Sequence, residues 1–216
     1  MSSDIVLAYI DSLPPTISLL SEPRVREMWE SPSALEGMTV GELAAHLAQT
    51  ITRVPDTLAA LPSDLVMGGA ERFLHTGWAT TDANSQANTA IRDRARGEAA
   101  VGAQAVVESV RAASVALADL LPAQAEDRLV VMPDGVSLDL DDYIITRLLE
   151  LVVHCDDLAQ SVGVPTPEMP FAAIHAVIEL LVEASVARHG WTAVLRALSR
   201  QERAPKGGIS AFGSSS

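Results

Sequence analysis

A helical segment in the second half of the chain carries ionisable side chains at spacings of three and four residues. The segment reads RLLELVVHCDDLA, residues 147–159. At about 100° per residue, four of its ionisable residues fall within roughly a quarter of the helix circumference, and so do Tyr143 before the segment and Ser161 after it. The four are Arg147, Glu150, His154 and Asp157. The helix is apolar around most of its remaining surface, so we expect it to be surrounded by neighbouring elements.

This polar stripe has two interpretations. It can be the solvent edge of an amphipathic helix, where an Arg147–Glu150 ion pair contributes little to stability. It can also face inward and bind a metal. Glu150 and His154 are four residues apart, so their side chains meet about one turn apart on the helix. A carboxylate and an imidazole in this arrangement can ligate one metal ion, and a third ligand is then needed.

His46 is the candidate third ligand. It lies in VGELAAHLAQ, residues 40–49, at the edge of the apolar stripe of another predicted helix. A lone histidine there is also compatible with an ordinary, partly exposed helix position. If His46 faces Glu150 and His154, the two histidines and one glutamate suit zinc. They leave one coordination position for water or substrate, which is typical of a catalytic site.

Start and stop signals divide the chain into predicted helices and one hairpin. Thr39 and Glu42 form a capping box that begins a helix over 39–61, which Pro55 kinks or divides. Pro14 and Pro15 bend or end a first helix within 4–20. Further helices are predicted over 84–121, 141–161, 171–188 and 191–200, with a hairpin within 127–140 around Pro133-Asp134-Gly135. Segment 62–85 is predicted to be a long connection, a feature that is often functional.

These elements predict an all-α fold. We expect a four-helix bundle with a small β-hairpin before its last helix and a short C-terminal helical extension. The bundle is predicted to span residues 1–165, the extension 166–203 and a flexible tail 204–216.

The composition is that of a globular chain, with 48% hydrophobic residues among 216 and a formal net charge of −13. An acidic surface repels a phosphate backbone, so we expect no nucleic-acid partner. The single cysteine excludes an intrachain disulfide. The sequence shows neither a secretory signal nor an uncharged run of transmembrane length. We therefore expect no membrane partner and a reducing, cytoplasmic environment.

Two separated segments agree in ligand type and in local context with a known family. They are SALEGMTVGELAAHLAQ, residues 33–49, and RLLELVVHCDDLAQSVG, residues 147–163. Together they resemble the mycothiol-dependent maleylpyruvate isomerase family, over residues 4–165. The resemblance implies the metal-binding four-helix bundle of the DinB-like superfamily. It also implies that His46, Glu150 and His154 hold a divalent metal, usually zinc, and that Arg147 and Asp157 orient these ligands.

The same resemblance implies a thiol-dependent reaction. The family uses mycothiol, a low-molecular-weight thiol that binds the metal as the nucleophilic thiolate and attacks a small electrophile. In an isomerase the thiolate adds to a double bond, allows rotation and leaves, whereas in a transferase it stays attached. The isomerases carry a separate C-terminal domain that helps to form the substrate site, and here about fifty residues follow Pro165. We therefore expect a metal-dependent thiol transferase or isomerase in general, rather than an isomerase specific for maleylpyruvate.

Two other functions are compatible with the same residues. A non-catalytic metal-binding module can use the bundle in a stress response or as an interaction surface. A metal-free bundle can instead pair Arg147, Glu150 and His154 in a network, for example at a homodimer interface, where buried charges need well-formed partners. Thiol-dependent turnover would favour the enzyme, and metal-dependent partner binding without turnover would favour the module.

Cys155 and His75 have the chemistry for a site but different expected roles. Cys155 follows His154 and points about 100° away from it around the helix, so we expect it to pack as a small apolar residue. His75 lies in the long connection, where it can line the mouth of the site or lie on the surface.

The remaining candidates are histidines and arginines outside the stripe. His175 and His189 lie beyond the bundle and are predicted to be structural or exposed. Arg92, Arg94 and Arg96 can meet an anionic thiol or a carboxylate, although a solvated helix face is the expected role of such a run.

Overall fold

A computed structural model describes residues 3–60, 67–68, 85–125, 127–132 and 135–212. Most of the predicted long connection lies outside these residues, and so do His75 and the turn residues Pro133 and Asp134.

The described residues form helices and one small sheet. Helices α1 to α9 span, in chain order, Asp4–Leu20, Pro23–Glu27, Val40–Thr52, Val54–Ala59, Gln86–Ala99, Ala103–Leu120, Leu140–Val162, Phe171–His189 and Trp191–Ser199. Strands β1 to β3 span Met67–Gly68, Leu129–Val131 and Ser137–Asp139. A 3₁₀ turn, Gln201–Arg203, follows α9.

Four helices, α1, α3, α6 and α7, form the bundle. Helices α1 and α3 each pack against both α6 and α7, and buried side chains such as Leu13, Leu47 and Leu148 fill the space between them. Helix α5 packs against α3, and α8 packs against α1 and α7. The prediction of an all-α, DinB-like four-helix bundle with a hairpin and a C-terminal helical extension is confirmed.

Helix α1 does not end at Pro14 and Pro15, although each proline removes a backbone donor. Buried side chains lie on both sides of the prolines, including Tyr9 before them and Leu19 after them. Packing of this face in the core therefore holds one continuous helix where the local signal favours a break.

Two longer predicted helices are each divided. Segment 39–61 contains α3 and α4, which meet at Arg53, and Pro55 lies in the first turn of α4, where its missing N–H costs nothing. Segment 84–121 was predicted as one helix and contains α5 and α6, bent by 100°. Gly102, with φ of +88°, adopts a conformation at the break that other residues rarely take. Among the described residues no single helix is long and apolar enough to cross a membrane, and only this bent pair reaches that length and composition together.

The hairpin before the last bundle helix is confirmed as the antiparallel pair β2–β3, with Val130 opposite Leu138. Sequence reasoning missed a third strand. β1 pairs in parallel with β3, Met67 opposite Ser137, which gives the strand order β1-β3-β2. Leu140, the first residue of α7, follows β3 directly, so the sheet fixes where α7 begins.

The start of α3 depends on close packing between Gly41 and Trp29. A Cβ on Gly41 would lie 2.5 Å from atoms of the Trp29 ring. That ring is held by a hydrogen bond from its Nε1 to Ala99 O at 3.3 Å. We expect Gly41→Ala to lower the free energy of unfolding by about 1–3 kcal/mol, since overpacking outweighs the gain in helix propensity.

Gly97 in α5 provides the matched control, because a Cβ there would have no atom within 4 Å. Gly97→Ala should raise the free energy of unfolding by about 0.5–1 kcal/mol. Urea denaturation of both variants measures the two changes in the free energy of unfolding, which should have opposite signs. A stabilised Gly41→Ala protein would contradict the close packing of Gly41 against Trp29.

Candidate metal centre

Two contacts show that α3 and α7 run in opposite directions. Before α3, the backbone N–H of Ala34 donates to Ser161 Oγ near the end of α7, at 2.8 Å. Further along α3, His46 Nε2 lies 3.7 Å from Glu150 Oε2, in the middle of α7. The two helices therefore run antiparallel, and the middle of α3 faces the middle of α7.

The start of α3 is fixed locally by its capping box. Thr39 Oγ1 accepts from the Glu42 backbone N–H at 3.1 Å, and Glu42 Oε2 accepts from the Thr39 backbone N–H at 2.9 Å. Because this start is fixed, His46 lies one turn beyond Glu42 on the same helix face.

Three predicted residues, His46, Glu150 and His154, come together between the two helices. Glu150 Oε2 lies 3.1 Å from His154 Nε2 and 3.7 Å from His46 Nε2, and the two imidazole rings are 4.8 Å apart. The side chains are 17%, 10% and 13% exposed in the order His46, Glu150, His154. Glu150 is therefore buried, and this part of the stripe is not the solvent edge of the helix.

Asp157 contacts the ring nitrogen of His154 that does not face Glu150. Asp157 Oδ2 lies 3.0 Å from His154 Nδ1, one turn along α7. A proton on Nδ1 donates to this carboxylate, which leaves Nε2 directed at Glu150. A carboxylate in this position is the usual means by which proteins fix the tautomer and ring orientation of a metal-binding histidine.

The charges of these groups are strongly coupled. Burial alone raises the pKa of Glu150, but hydrogen bonds with His154 and His46 outweigh burial and hold that pKa well below its usual range. Burial alone lowers the pKa of His154, but its hydrogen bonds with Asp157 and Glu150 raise it to about 9. Without a metal, the imidazolium of His154 thus neutralises part of a buried acidic cluster.

The donor set fits a divalent metal. In a tetrahedral site with metal–ligand bonds of about 2.1 Å, neighbouring ligand atoms lie about 3.4 Å apart. The distances from Glu150 Oε2 to the two histidine nitrogens, 3.1 and 3.7 Å, lie on either side of that value. Ligand atoms of all three residues lie within 4.8 Å of one another. Three protein ligands leave a fourth position for water or substrate.

Arg147 lies one turn before Glu150 on α7. Its Nε donates to Thr146 Oγ1 at 3.2 Å, and its guanidinium lies 5.6 Å from the centre of the Tyr143 ring. Its positive charge also contributes to the low pKa of Glu150. Arg147 therefore acts on the centre electrostatically, whereas Asp157 contacts a predicted ligand directly.

The other predicted candidates lie apart from this centre. His175 pairs with Glu179 on the exposed face of α8, at 3.4 Å, and His189 Nε2 lies 2.8 Å from Ser210 O. Arg96 Nε donates to Glu42 Oε1 at 2.9 Å, so its charge is already paired within the protein. It borders an open cleft of about 630 Å³ that Glu30, Glu36 and Glu42 also line, a poor environment for an anionic ligand.

Sequence analysis assigned no role to Gln49, which follows His46 by three residues on α3. In the structure Gln49 is buried, and its amide Nε2 has no hydrogen-bond partner within the described ranges. The signal that would have identified it is its position three residues after His46, which makes the two side chains neighbours on the helix.

Cys155 is buried on the opposite side of α7 from solvent, as predicted, with its Sγ 3.5 Å from Thr16 Oγ1. Burial raises the pKa of this thiol to about 12. Because the thiolate is the reactive form, we expect Cys155 to resist alkylation at pH 8 until the protein unfolds. Reaction with a chromogenic disulfide reagent, with and without denaturant, measures this. One thiol per chain reacting at once in the folded protein would contradict it.

The fold and the centre together define a class: a DinB-like helical bundle whose facing helices bring two histidines and a glutamate to one point. A family model, the mycothiol maleylpyruvate isomerase N-terminal domain, matches residues 17–159, about two thirds of the chain, and the chain belongs to this family. The matched range contains His46, Glu150, His154 and Asp157. Comparisons with curated proteins and with solved structures gave no significant match.

Proposed function

We propose that this protein binds one zinc ion through His46, Glu150 and His154 and uses it to transfer or add a low-molecular-weight thiol, mycothiol, to a small electrophile. One observation carries the proposal: ligand atoms of two histidines and a glutamate, from two antiparallel helices, lie within 4.8 Å of one another. Membership of the mycothiol-related family supports the choice of thiol.

Each residue of the centre has a distinct task in this proposal. Glu150 supplies the negative charge that attracts the cation, and its burial strengthens that attraction. Asp157 orients His154 by accepting a hydrogen bond from its Nδ1–H. His46, from α3, completes the set of three ligands. The set therefore forms only when α3 packs against α7. The zinc ion, when bound, stabilises the thiolate form of a thiol in the open fourth position.

The reaction class follows from the thiolate and its electrophile. Sulfur forms a bond to an electrophilic carbon, and at the same carbon either a double bond opens or a leaving group departs with its bonding electrons. The thiol proton passes to solvent, to the product or to the leaving group. In a transferase the new carbon–sulfur bond remains. In an isomerase the bond breaks again after rotation about the former double bond, and the thiol is regenerated.

Metal content of the purified protein tests the proposal, provided that metal-affinity purification is avoided. We expect about one zinc per chain in the wild type and a loss of most of it in His46→Ala, which removes one of three ligands. His175→Ala is the matched control, since this exposed histidine also lies close to a glutamate. No zinc in the wild type after zinc addition, or equal zinc in His46→Ala, would overturn the assignment.

A second measurement separates the enzyme from a non-catalytic metal-binding module. The zinc-loaded wild type and His46→Ala are assayed with mycothiol and a chromogenic electrophile. Turnover that depends on both thiol and zinc supports the enzyme. Zinc binding without turnover over a panel of electrophiles would favour the module.

A further inference from the structure

Gln49 is a buried polar residue of α3, three residues after the candidate ligand His46. The residue is 7% exposed, and its Nε2 has no hydrogen-bond partner in the part of the chain that the structure describes. Folded proteins pair nearly all buried amide groups, because a buried donor without an acceptor costs free energy. An unpartnered donor at this position points to an acceptor that belongs to a ligand.

Measured along the helix axes, Gln49 lies on the side of the centre where α7 begins. It follows His46 by three residues on α3, a rise of about 4.5 Å, and the two side chains share one helix face. Because α3 and α7 run antiparallel, this turn of α3 faces the turn of α7 that carries Arg147, one turn before Glu150. Asp157 lies on the other side of Glu150, towards the end of α7. Gln49 therefore lies about one helical turn from His46, on the Arg147 side of the centre rather than on the Asp157 side.

We propose that Gln49 is a binding residue for the thiol: its Nε2 donates a hydrogen bond to a carbonyl oxygen of the thiol whose sulfur occupies the open metal position. This inference rests on the proposed function. The carbonyl oxygen of a cysteine-derived thiol is only a few bonds from its sulfur, a reach comparable with the rise between His46 and Gln49. A neutral carbonyl suits this donor, because an uncharged amide supplies no charge to neutralise a buried anion. Gln49 then selects thiols that carry this acceptor, and no bond to Gln49 forms or breaks.

The test uses cobalt-loaded protein, because absorption of the thiolate–cobalt pair reports thiol binding without any reaction. Wild type and Gln49→Met are titrated with N-acetylcysteine amide and with 2-mercaptoethanol, which has a thiol but no carbonyl. Methionine keeps the length and the helix propensity of glutamine but cannot donate. We expect Gln49→Met to raise the Kd of N-acetylcysteine amide about three- to tenfold and to leave that of 2-mercaptoethanol unchanged.

Gln104→Met is the matched control, since Gln104 is an exposed glutamine of α6 whose amide contacts Glu108. It should change neither affinity. Unchanged affinities in Gln49→Met, or equal weakening of both thiols, would overturn the inference while leaving the metal site intact. Failure of the wild type to bind metal, or to bind any thiol once loaded, would overturn the proposed function and this inference with it.

Stability of the metal-free protein gives a second readout. A donor that lacks a protein partner is lost without cost, so Gln49→Met should unfold at the same temperature as the wild type or a higher one. A clearly lower unfolding temperature in both Gln49→Met and Gln49→Leu would show a structural role for the amide and overturn the inference.

Discussion

Glu150→Gln is expected to lower the zinc affinity of the protein by about a thousandfold, more than the 10–100-fold typical of residues that only orient a ligand. Glu150 Oε2 is the atom that lies close to both histidines, at 3.1 Å from His154 and 3.7 Å from His46. Glutamine keeps the shape of the side chain but removes its negative charge. In a buried site that charge attracts a cation much more strongly than it would in water.

Competition between the protein and a chelating indicator measures this loss. Glu179→Gln is the control, because Glu179 also lies next to a histidine, His175, but on an exposed face of α8. It should leave the zinc affinity unchanged. Thiol-dependent turnover should fall together with zinc occupancy in Glu150→Gln and recover at high zinc concentration. A zinc affinity within tenfold of the wild type would remove Glu150 from the ligand set.

Zinc binding is expected to strengthen about tenfold for each pH unit up to about pH 9, and to level off above it. Asp157 and Glu150 raise the pKa of His154 to about 9, so this imidazole is protonated in the metal-free protein at neutral pH. A histidine ligand must be neutral, and each zinc that binds therefore displaces one proton from His154. The pKa of Glu150 lies well below its usual range, so Glu150 stays ionised and adds nothing to this slope.

Titration calorimetry in buffers of different ionisation enthalpy counts the released protons directly, and we expect about one per zinc at pH 7 from His154. Asp157→Asn removes a group that raises the pKa of His154, so the zinc affinity should stop rising at a lower pH than in the wild type. The same variant should also bind zinc about 10–100-fold more weakly at high pH, because the ring loses its orienting partner. A pH-independent zinc affinity between pH 6 and 9 would contradict the protonated state of His154.

Features that depend on neighbouring residues in the chain could be predicted from the sequence. The capping box of Thr39 and Glu42 begins α3 as predicted, and the turn residues around Gly135 place the hairpin before α7. The helical periodicity of residues 141–161 put Glu150 and His154 on one face, since that depends only on 3.6 residues per turn. His46 was already a candidate third ligand from its position on its helix, and the resemblance of residues 33–49 and 147–163 to a known family favoured the metal-binding interpretation.

Where long-range packing competes with local signals, the sequence was less informative. Pro14 and Pro15 favour a break that the buried face of α1 overrides. The parallel strand β1 was missed because its partner β3 lies far away in the chain. The break between α5 and α6 was missed although it has a local signal, since Gly102 can adopt the positive φ found there.

The sequence by itself determined which residues can bind a metal and which face of its own helix each of them occupies. Only the tertiary structure decided that α3 and α7 run antiparallel at a register that brings His46 Nε2 within 3.7 Å of Glu150. It also decided that Gln49, three residues after His46, is buried. The physical reason is that caps and periodicity act over one turn of helix. The register between two helices is instead set by side chains about a hundred residues apart in sequence, which meet only when the core is packed.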